Sequence, residues 1–176
     1  MDNNDRSEKE MSKRVYISGK IGEEVISEAT RQKFAKAEGL LEAKGWKVTN
    51  PASRKSQALL KYRLMREESK YGPVPDFYSF ALVTDIVSIW RDCDAVYFLK
   101  DWKKSLGATC EHAFAVATGK RLLFADRFSA CEYLVDRMYK EVRAGNPPGE
   151  YLELSRSDAE IAYAKKHLSE VYIPMD

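Results

Sequence analysis

The chain is predicted to be an α/β protein, a three-layer fold of flavodoxin or Rossmann type with helices on both faces of a parallel sheet. Three observations lead there. Short apolar and β-branched runs alternate along the chain with longer segments of helical period. The run AVYFL, Ala95 to Leu99, is apolar at every position, as a strand covered on both faces requires. Finally, 176 residues, 44% of them hydrophobic, suffice for one full core and not for two.

Each element has its own local warrant. Met1 to Lys13 carries seven charged residues and almost nothing apolar, so burial cannot offset its ordering entropy and a disordered lead-in is expected. Arg14 to Ser18 (RVYIS) is the first strand, stopped at Gly19 with Gly22 in the same turn. From Ser27 to Lys44, Phe34, Ala37, Leu40 and Leu41 recur at helical spacing, and Gly45 stands where a left-handed cap is usual. Trp46 to Thr49 is strand two, broken by Asn50-Pro51, and Gln57 to Lys70 is a helix with Leu60, Leu64 and Met65 on one side. Gly72, Pro73 and Pro75 make Tyr71 to Asp76 a loop, a candidate lid. A helix over Phe77 to Arg91 leads into the AVYFL strand. Asp101 to Ser105 links that strand to a helix from Leu106 to Thr118, closed by Gly119. Arg121 to Ala125 is the next strand and Ser129 to Arg143 the next helix. Ala144 to Gly149 (AGNPPG) is the strongest boundary, dividing an α/β domain over 14–144 from an extension over 145–176. The extension holds one helix, about Ser157 to Leu168, and must pack on the domain or on a neighbouring subunit because it cannot carry a core of its own.

Composition excludes several classes. Lys plus Arg number 29 against 27 Asp plus Glu, and a formal charge of +2 provides no global field for a polymeric nucleic acid. No apolar run approaches the roughly 18 to 20 residues that cross a bilayer, and the first thirteen residues are polar where a secretory signal needs an apolar stretch. A soluble, cytoplasmic protein with no membrane partner is expected. Cys93, Cys110 and Cys131 form no CxxC pair, so neither a disulfide framework nor a thiolate zinc site is suggested. With His112 and His167 the only histidines, no metal site is expected.

In open parallel sheets ligands bind beyond the carboxyl ends of the strands. Three segments converge there: Ser18 to Gly22, Asn50 to Lys55, with Asn50 a candidate contact, and Lys100 to Glu111. Ser105 is a plausible N-cap, and Gly107 lets an anion approach the N–H groups at the positive end of the following helix. Gly107, Ala108, Glu111 and Ala115 share one face of that helix, so a carboxylate stands among small side chains that either leave room for a ligand or allow tight packing on the sheet. Asp85, Asp92 and Asp94 lie just upstream. Two carboxylates facing one acetal-like carbon can divide the labour of nucleophile and proton carrier, so Glu111 with one of these aspartates is a candidate pair. Cys110 points about 100° away from Glu111 on the helix, and His112 reads as a packing residue. Lys20, Arg54, Lys55, Lys103 and Lys104 fall in the same loops and suit a small phosphorylated ligand. The G-x-G-x-x-G pattern of dinucleotide sites is absent.

The runs VYISGKI (Val15 to Ile21), GWKVTNPA (Gly45 to Ala52), CDAVYFLKDW (Cys93 to Trp102) and SLGATCEHAFAVATGK (Ser105 to Lys120) together resemble the nucleoside 2-deoxyribosyltransferase-like superfamily, and within it the DUF4406 branch. The resemblance covers about Val15 to Ala125. It implies a flavodoxin-like fold and cleavage or transfer of the N-glycosidic bond of a deoxynucleoside or its 5′-monophosphate. Glu111 matches the family's nucleophile, Ser105 a phosphate contact and Gly107 the family's glycine. Asp85 is taken as the second catalytic carboxylate, with Asp92 and Asp94 as alternatives and Asp94 also a candidate substrate contact. Tyr16, Gly19, Lys20 and Ile21 match positions around sugar and phosphate, although the monophosphate N-glycosidases carry Ser where Lys20 stands. No metal or redox cofactor is implied, the partner is a small nucleoside or nucleotide, and a homodimer or higher homo-oligomer is expected. Two alternatives stand beside the enzyme: a non-catalytic nucleotide-binding or sensing module, and a hydrolase acting on a ribonucleotide or a dinucleotide such as NAD.

Overall fold

The computed structural model describes residues 13–23, 25–146, 149–151 and 153–175. The lead-in expected over 1–13 thus lies, apart from Lys13, outside the described residues. Four strands, β1 (Arg14–Ser18), β2 (Lys47–Thr49), β3 (Ala95–Phe98) and β4 (Arg121–Phe124), form one parallel sheet in the order β2-β1-β3-β4. Val15 lies opposite Val48 on one side and Ala95 on the other, so β1 is central and its carboxyl end opens at Ser18 beside Phe98.

Six α-helices are found among the described residues: α1 (Glu28–Ala43), α2 (Arg54–Tyr71), α3 (Phe77–Asp92), α4 (Leu106–Ala117), α5 (Arg127–Arg143) and α6 (Arg156–Val171). All six start the same way. Ser27, Ser53, Asp76, Ser105, Asp126 and Ser155 each take an extended backbone, and each side-chain oxygen accepts the N–H of the residue three positions on. These caps explain why α2 and α5 begin at Arg54 and Arg127, earlier than the Gln57 and Ser129 that apolar spacing suggests. A cap depends on a single polar side chain and leaves no trace in hydrophobic period. At the other end of α1, the Trp46 N–H bonds the Leu41 carbonyl, so β2 begins at Lys47 and not at Trp46.

Period-two alternation sends the strand side chains into two cores. Val15, Ile17, Tyr97 and Leu123 pack with Phe34, Ala37 and Leu41 of α1. Tyr16, Val96, Phe98, Leu122 and Phe124 face the opposite side, against Ile89 of α3, Ala108 and Ala115 of α4 and Leu134 of α5. Tyr163, Ala164 and Val171 of α6 belong to this second core, so the segment set apart by AGNPPG is built into the main domain. Beyond α6 the chain joins the sheet itself. Tyr172 pairs with Phe124 in a parallel bridge, the Ile173 N–H bonds the Phe124 carbonyl at 2.9 Å, and the Tyr97 hydroxyl donates to the Ile173 carbonyl at 2.7 Å. Ile173 and Met175 then pack against the α1-side core. No helix among the described residues is long and apolar enough to cross a membrane.

Tyr163 is buried between α5 and α6, its hydroxyl bonded to Arg137 and Glu141. Replacing it by Ala leaves a cavity and takes one hydrogen-bond partner from each of Arg137 and Glu141. Tyr163→Ala is expected to cost on the order of 3 kcal/mol in urea denaturation, in one transition that also reports the loss of the sheet.

Candidate active site

Glu111 is placed by three local constraints. The Ser105 cap fixes where α4 begins, the helical period puts Ala108, Glu111 and Ala115 on one buried face, and the small side chains of the two alanines let that face lie close to the sheet. The carboxylate, 6% exposed, therefore projects over β1. On β1 the side chains of Tyr16 and Ser18, two residues apart, point to the same face and meet it. The Tyr16 hydroxyl donates to Oε1 at 3.2 Å and the Ser18 hydroxyl to Oε2 at 2.5 Å. Asp85, on the inward face of α3, lies beside the same phenol and lines the same cleft, close enough for each to shift the other's titration. Two carboxyls from different helices thus converge on one tyrosine.

Burial dominates the electrostatics. Glu111 is pushed up from 4.5 to about 8, first by loss of water and then by the negative charge of Asp85, while the Ser18 and Tyr16 hydroxyls pull it back. Asp85 is raised to about 7 by burial, opposed by the Tyr16 hydroxyl beside it and by the Arg63 guanidinium. Tyr16 is held well above its ordinary range by burial and by the two acids, so it remains a phenol that can donate. Near neutral pH the pair holds protons between them and titrates as a unit.

A cleft of about 180 Å³ opens beside this cluster, between the end of β2, α2 and α3. Tyr16, Asp85, Thr49, Gln57, Arg63 and Asp92 are among its lining residues, so the acid pair meets the cleft through Tyr16 and Asp85. The loop after β1 is held separately. Asp101 accepts the Lys20 N–H at 3.2 Å and the Lys33 ammonium at 2.6 Å, and Lys33 also donates to the Lys20 carbonyl at 2.8 Å. A Cβ at Gly19 would stand 2.8 Å from the buried Leu99 side chain just past β3, so any larger residue at this step of the turn forces that leucine to move.

The remaining sequence candidates divide clearly. Ser105 and Gly107 form the first turn of α4, where the Tyr78 hydroxyl lies 3.2 Å from the point a Gly107 Cβ would occupy. Lys20 sits in the β1 loop, and Ile21 packs on the α1-side core. Asn50 is buried and its amide is committed to structure: Nδ2 donates to Glu38 and Oδ1 accepts the Ala52 N–H. Asp94 is a correction. It precedes β3, pairs with Arg14 at the start of β1, and so stands at the amino end of the sheet, opposite Glu111; the requirement that it bond the Arg14 N–H outweighs its nearness in sequence to the site. Asp92 lines the cleft, but it is Asp85 that shares Tyr16 with Glu111. Lys103 is paired with Glu132, and His112 stacks 4.5 Å from Trp102 in an aromatic cluster with Phe98. Among the described residues no three His, Cys, Asp or Glu side chains gather as metal ligands. Ser18, Asp101 and Lys33 were not foreseen as contributors. Alternation along RVYIS carries the signal for Ser18, since it places that hydroxyl on the face of Tyr16.

The raised carboxyls have a thermodynamic consequence. A carboxyl whose folded pKa exceeds its unfolded value binds a proton in the native state that the unfolded chain releases, so its contribution is full below about 4.5 and declines as pH rises through about 8. Glu111→Gln removes that dependence at one position. The melting temperature of the variant, measured against wild type, is expected to gain steadily between pH 5 and roughly pH 8, and a constant difference would refute the burial argument.

A family profile described as Domain of unknown function (DUF4406) matches residues 13–124. No curated protein and no solved structure matches the chain. The matched span runs from just before β1 to the end of β4 and includes Tyr16, Ser18, Asp85 and Glu111, and by that match the chain belongs to the DUF4406 family.

Proposed function

We propose that this protein cleaves or transfers the N-glycosidic bond of a (deoxy)nucleoside or its 5′-monophosphate, with Glu111 as nucleophile and Asp85 as proton carrier. The observation that carries the reading is the pair of carboxyls converging on the Tyr16 hydroxyl at the carboxyl end of β1, beside an open cleft. Glu111 bonds the Tyr16 hydroxyl, and Asp85 stands near enough for its charge to bear on both groups. Close carboxyls of this kind suit a nucleophile with its proton donor. The runs VYISGKI and SLGATCEHAFAVATGK, similar to those of nucleoside 2-deoxyribosyltransferase-like proteins, support the same chemistry.

The reaction then follows from charge. The reacting form is the singly protonated pair with its proton on Asp85, the less populated of the two arrangements because Glu111 is raised further. In it ionised Glu111 attacks C1′ of the sugar, the C1′–N bond breaks, and the base departs with its electron pair and takes the proton from Asp85. Water, or the nitrogen of an acceptor base, next attacks C1′ of the glycosyl-enzyme. Its proton passes to Asp85 and the Glu111 carboxylate leaves. The Ser18 and Tyr16 hydroxyls stabilise that carboxylate at both ends of the cycle. Ser105 and the first turn of α4 offer N–H groups to a 5′-phosphate. One observation favours a second reading. Glu111 buried in its neutral form could donate to a ribose hydroxyl in a non-catalytic nucleotide-binding module.

Incubation with deoxynucleosides and their 5′-monophosphates, with and without an acceptor base, decides between the two. Free base is expected from wild type, with a loss on the order of 10³-fold or more in Glu111→Gln. Monophosphates that raise the melting temperature of wild type but are never cleaved would reject the catalytic reading for these substrates. The productive state holds one proton on the pair, so kcat/KM is expected to be bell-shaped, falling below about 7 and above about 8. In Asp85→Asn the alkaline limb should disappear along with most of the turnover.

A further inference from the structure

Helices α2 and α3 form the two walls of a groove of about 880 Å³, and each contributes a stripe of its own. On α3, Phe80, Val83 and Val87 recur at i, i+3 and i+7, with Val83 62% exposed and Val87 38%. On α2, Arg63, Arg66 and Lys70 recur at the same spacing, and all three are exposed. Seven residues of helix rise roughly 10 Å, so over two turns one wall is apolar and the other cationic. The near-neutral total of the chain conceals this imbalance. Along α2 alone, Arg54, Lys55, Lys61, Arg63, Arg66 and Lys70 stand against Glu67 and Glu68. Arg91 of α3 adds a fourth cation to the groove, whose lining carboxylates are Glu67 and Asp92. Among the described residues none of Arg63, Arg66, Lys70 and Arg91 forms an ion pair, and Lys70 lies over the Tyr71 ring at 4.7 Å.

The two stripes together restrict what can cover them. A purely apolar surface would shut four cations away from water without partners, which is costly. A small anion would satisfy the cations and leave the apolar wall uncovered. A second copy presenting this same face would bring the same excess of cations to it. What satisfies both walls at once is a helix with apolar side chains and carboxylates on adjoining faces, since its own i, i+3 and i+7 rows repeat with the period of the stripes. We propose that the groove between α2 and α3 is the docking site for an acidic amphipathic helix of a partner protein, which lays apolar side chains on Phe80, Val83 and Val87 and carboxylates along Arg63, Arg66 and Lys70. The groove shares Arg63, Thr84, Ser88 and Asp92 with the cleft of the acid pair, so the docked helix also borders that cleft. This inference rests on the surfaces of α2 and α3 and not on the reaction proposed above.

A fluorescein-labelled, alanine-based peptide of about four turns, with leucines at i, i+3 and i+7 and a glutamate after each, tests it on the full chain without any substrate. By fluorescence anisotropy wild type is expected to bind this peptide saturably, and to bind its counterpart with lysine for glutamate at least about 10-fold more weakly. Val83→Glu on the apolar wall and R66E/K70E on the cationic wall should each weaken binding on the order of 10-fold or more. Far-UV circular dichroism should stay unchanged, because these side chains are exposed. R66E/K70E should in turn prefer the lysine peptide. Phe128→Glu, at an exposed aromatic on α5, is the control and should leave binding intact. A wild type that does not bind the glutamate peptide overturns the proposal, as does equal affinity for the two peptides or an affinity that the substitutions do not move. A single-stranded oligonucleotide that displaces the peptide at lower concentration assigns the groove to nucleic acid. A wild-type dimer in sedimentation equilibrium that Val83→Glu dissociates assigns it to a second copy, and either result overturns the proposal.

Discussion

A carboxylic acid withdrawn from water is costly unless hydrogen-bond donors replace the solvent, and the centre of this molecule is organised around that requirement. Glu111 is buried over β1, where the Tyr16 and Ser18 hydroxyls take the place of water on its two oxygens. Those hydroxyls can only be supplied from the central strand. The parallel register holding β1 between β2 and β3 fixes their height along the sheet, and the Ser105 cap fixes where along α4 the glutamate falls. A shift of one residue in either element would send a core side chain to the site and the acid into the core. The donors are sufficient to bury Glu111 and too few to keep it ionised, which leaves a group whose proton is exchangeable near neutrality.

Asp85 joins the pair from a helix with a different balance. Ile89 is its one fully buried residue, the Lys120 ammonium bonds the Trp90 carbonyl in its last turn, and its outer face carries exposed apolar residues. Opposite it, the loop after β1 is pinned by Lys33 and Asp101 and by the close approach of Gly19 to Leu99. One wall of the site is thus rigidly tied to the core. The other belongs to a helix hairpin whose contacts with the domain are sparse.

Much of this could be read in advance where the signal is local and repeated. The strands show as apolar runs, and α1 and α4 as segments with one face at helical spacing, because burial imposes a period that survives in composition. Glu111 stood out because three small residues accompany it on one face. Starts at Arg54 and Arg127 were missed, since a capping serine or aspartate acts through one hydrogen bond and looks like any other surface residue. Asn50, which its place after β2 offers as a ligand contact, fastens the turn through its amide, because a buried amide serves the backbone as readily as a substrate. Asp94 was misplaced for a related reason: closeness to β3 in sequence does not say which end of the strand a carboxylate occupies.

By itself the sequence determined the order of elements, the parallel α/β class and the presence of one acid among small residues on a helix after the third strand. These follow from hydrophobic period, turn chemistry and spacing, which operate over a few residues. Among the aspartates the sequence offers, tertiary structure decided that Asp85, its first choice, is the one beside Glu111 and Tyr16, and it alone decided that Ser18 is a donor and that Tyr172 and Ile173 extend the sheet beside β4. Each of these joins residues separated by 26 or more positions, Asp85 to Glu111 being the nearest. Contacts of that kind depend on how the helices dock on the sheet. Only the summed packing of both cores selects that arrangement, and no local pattern encodes it.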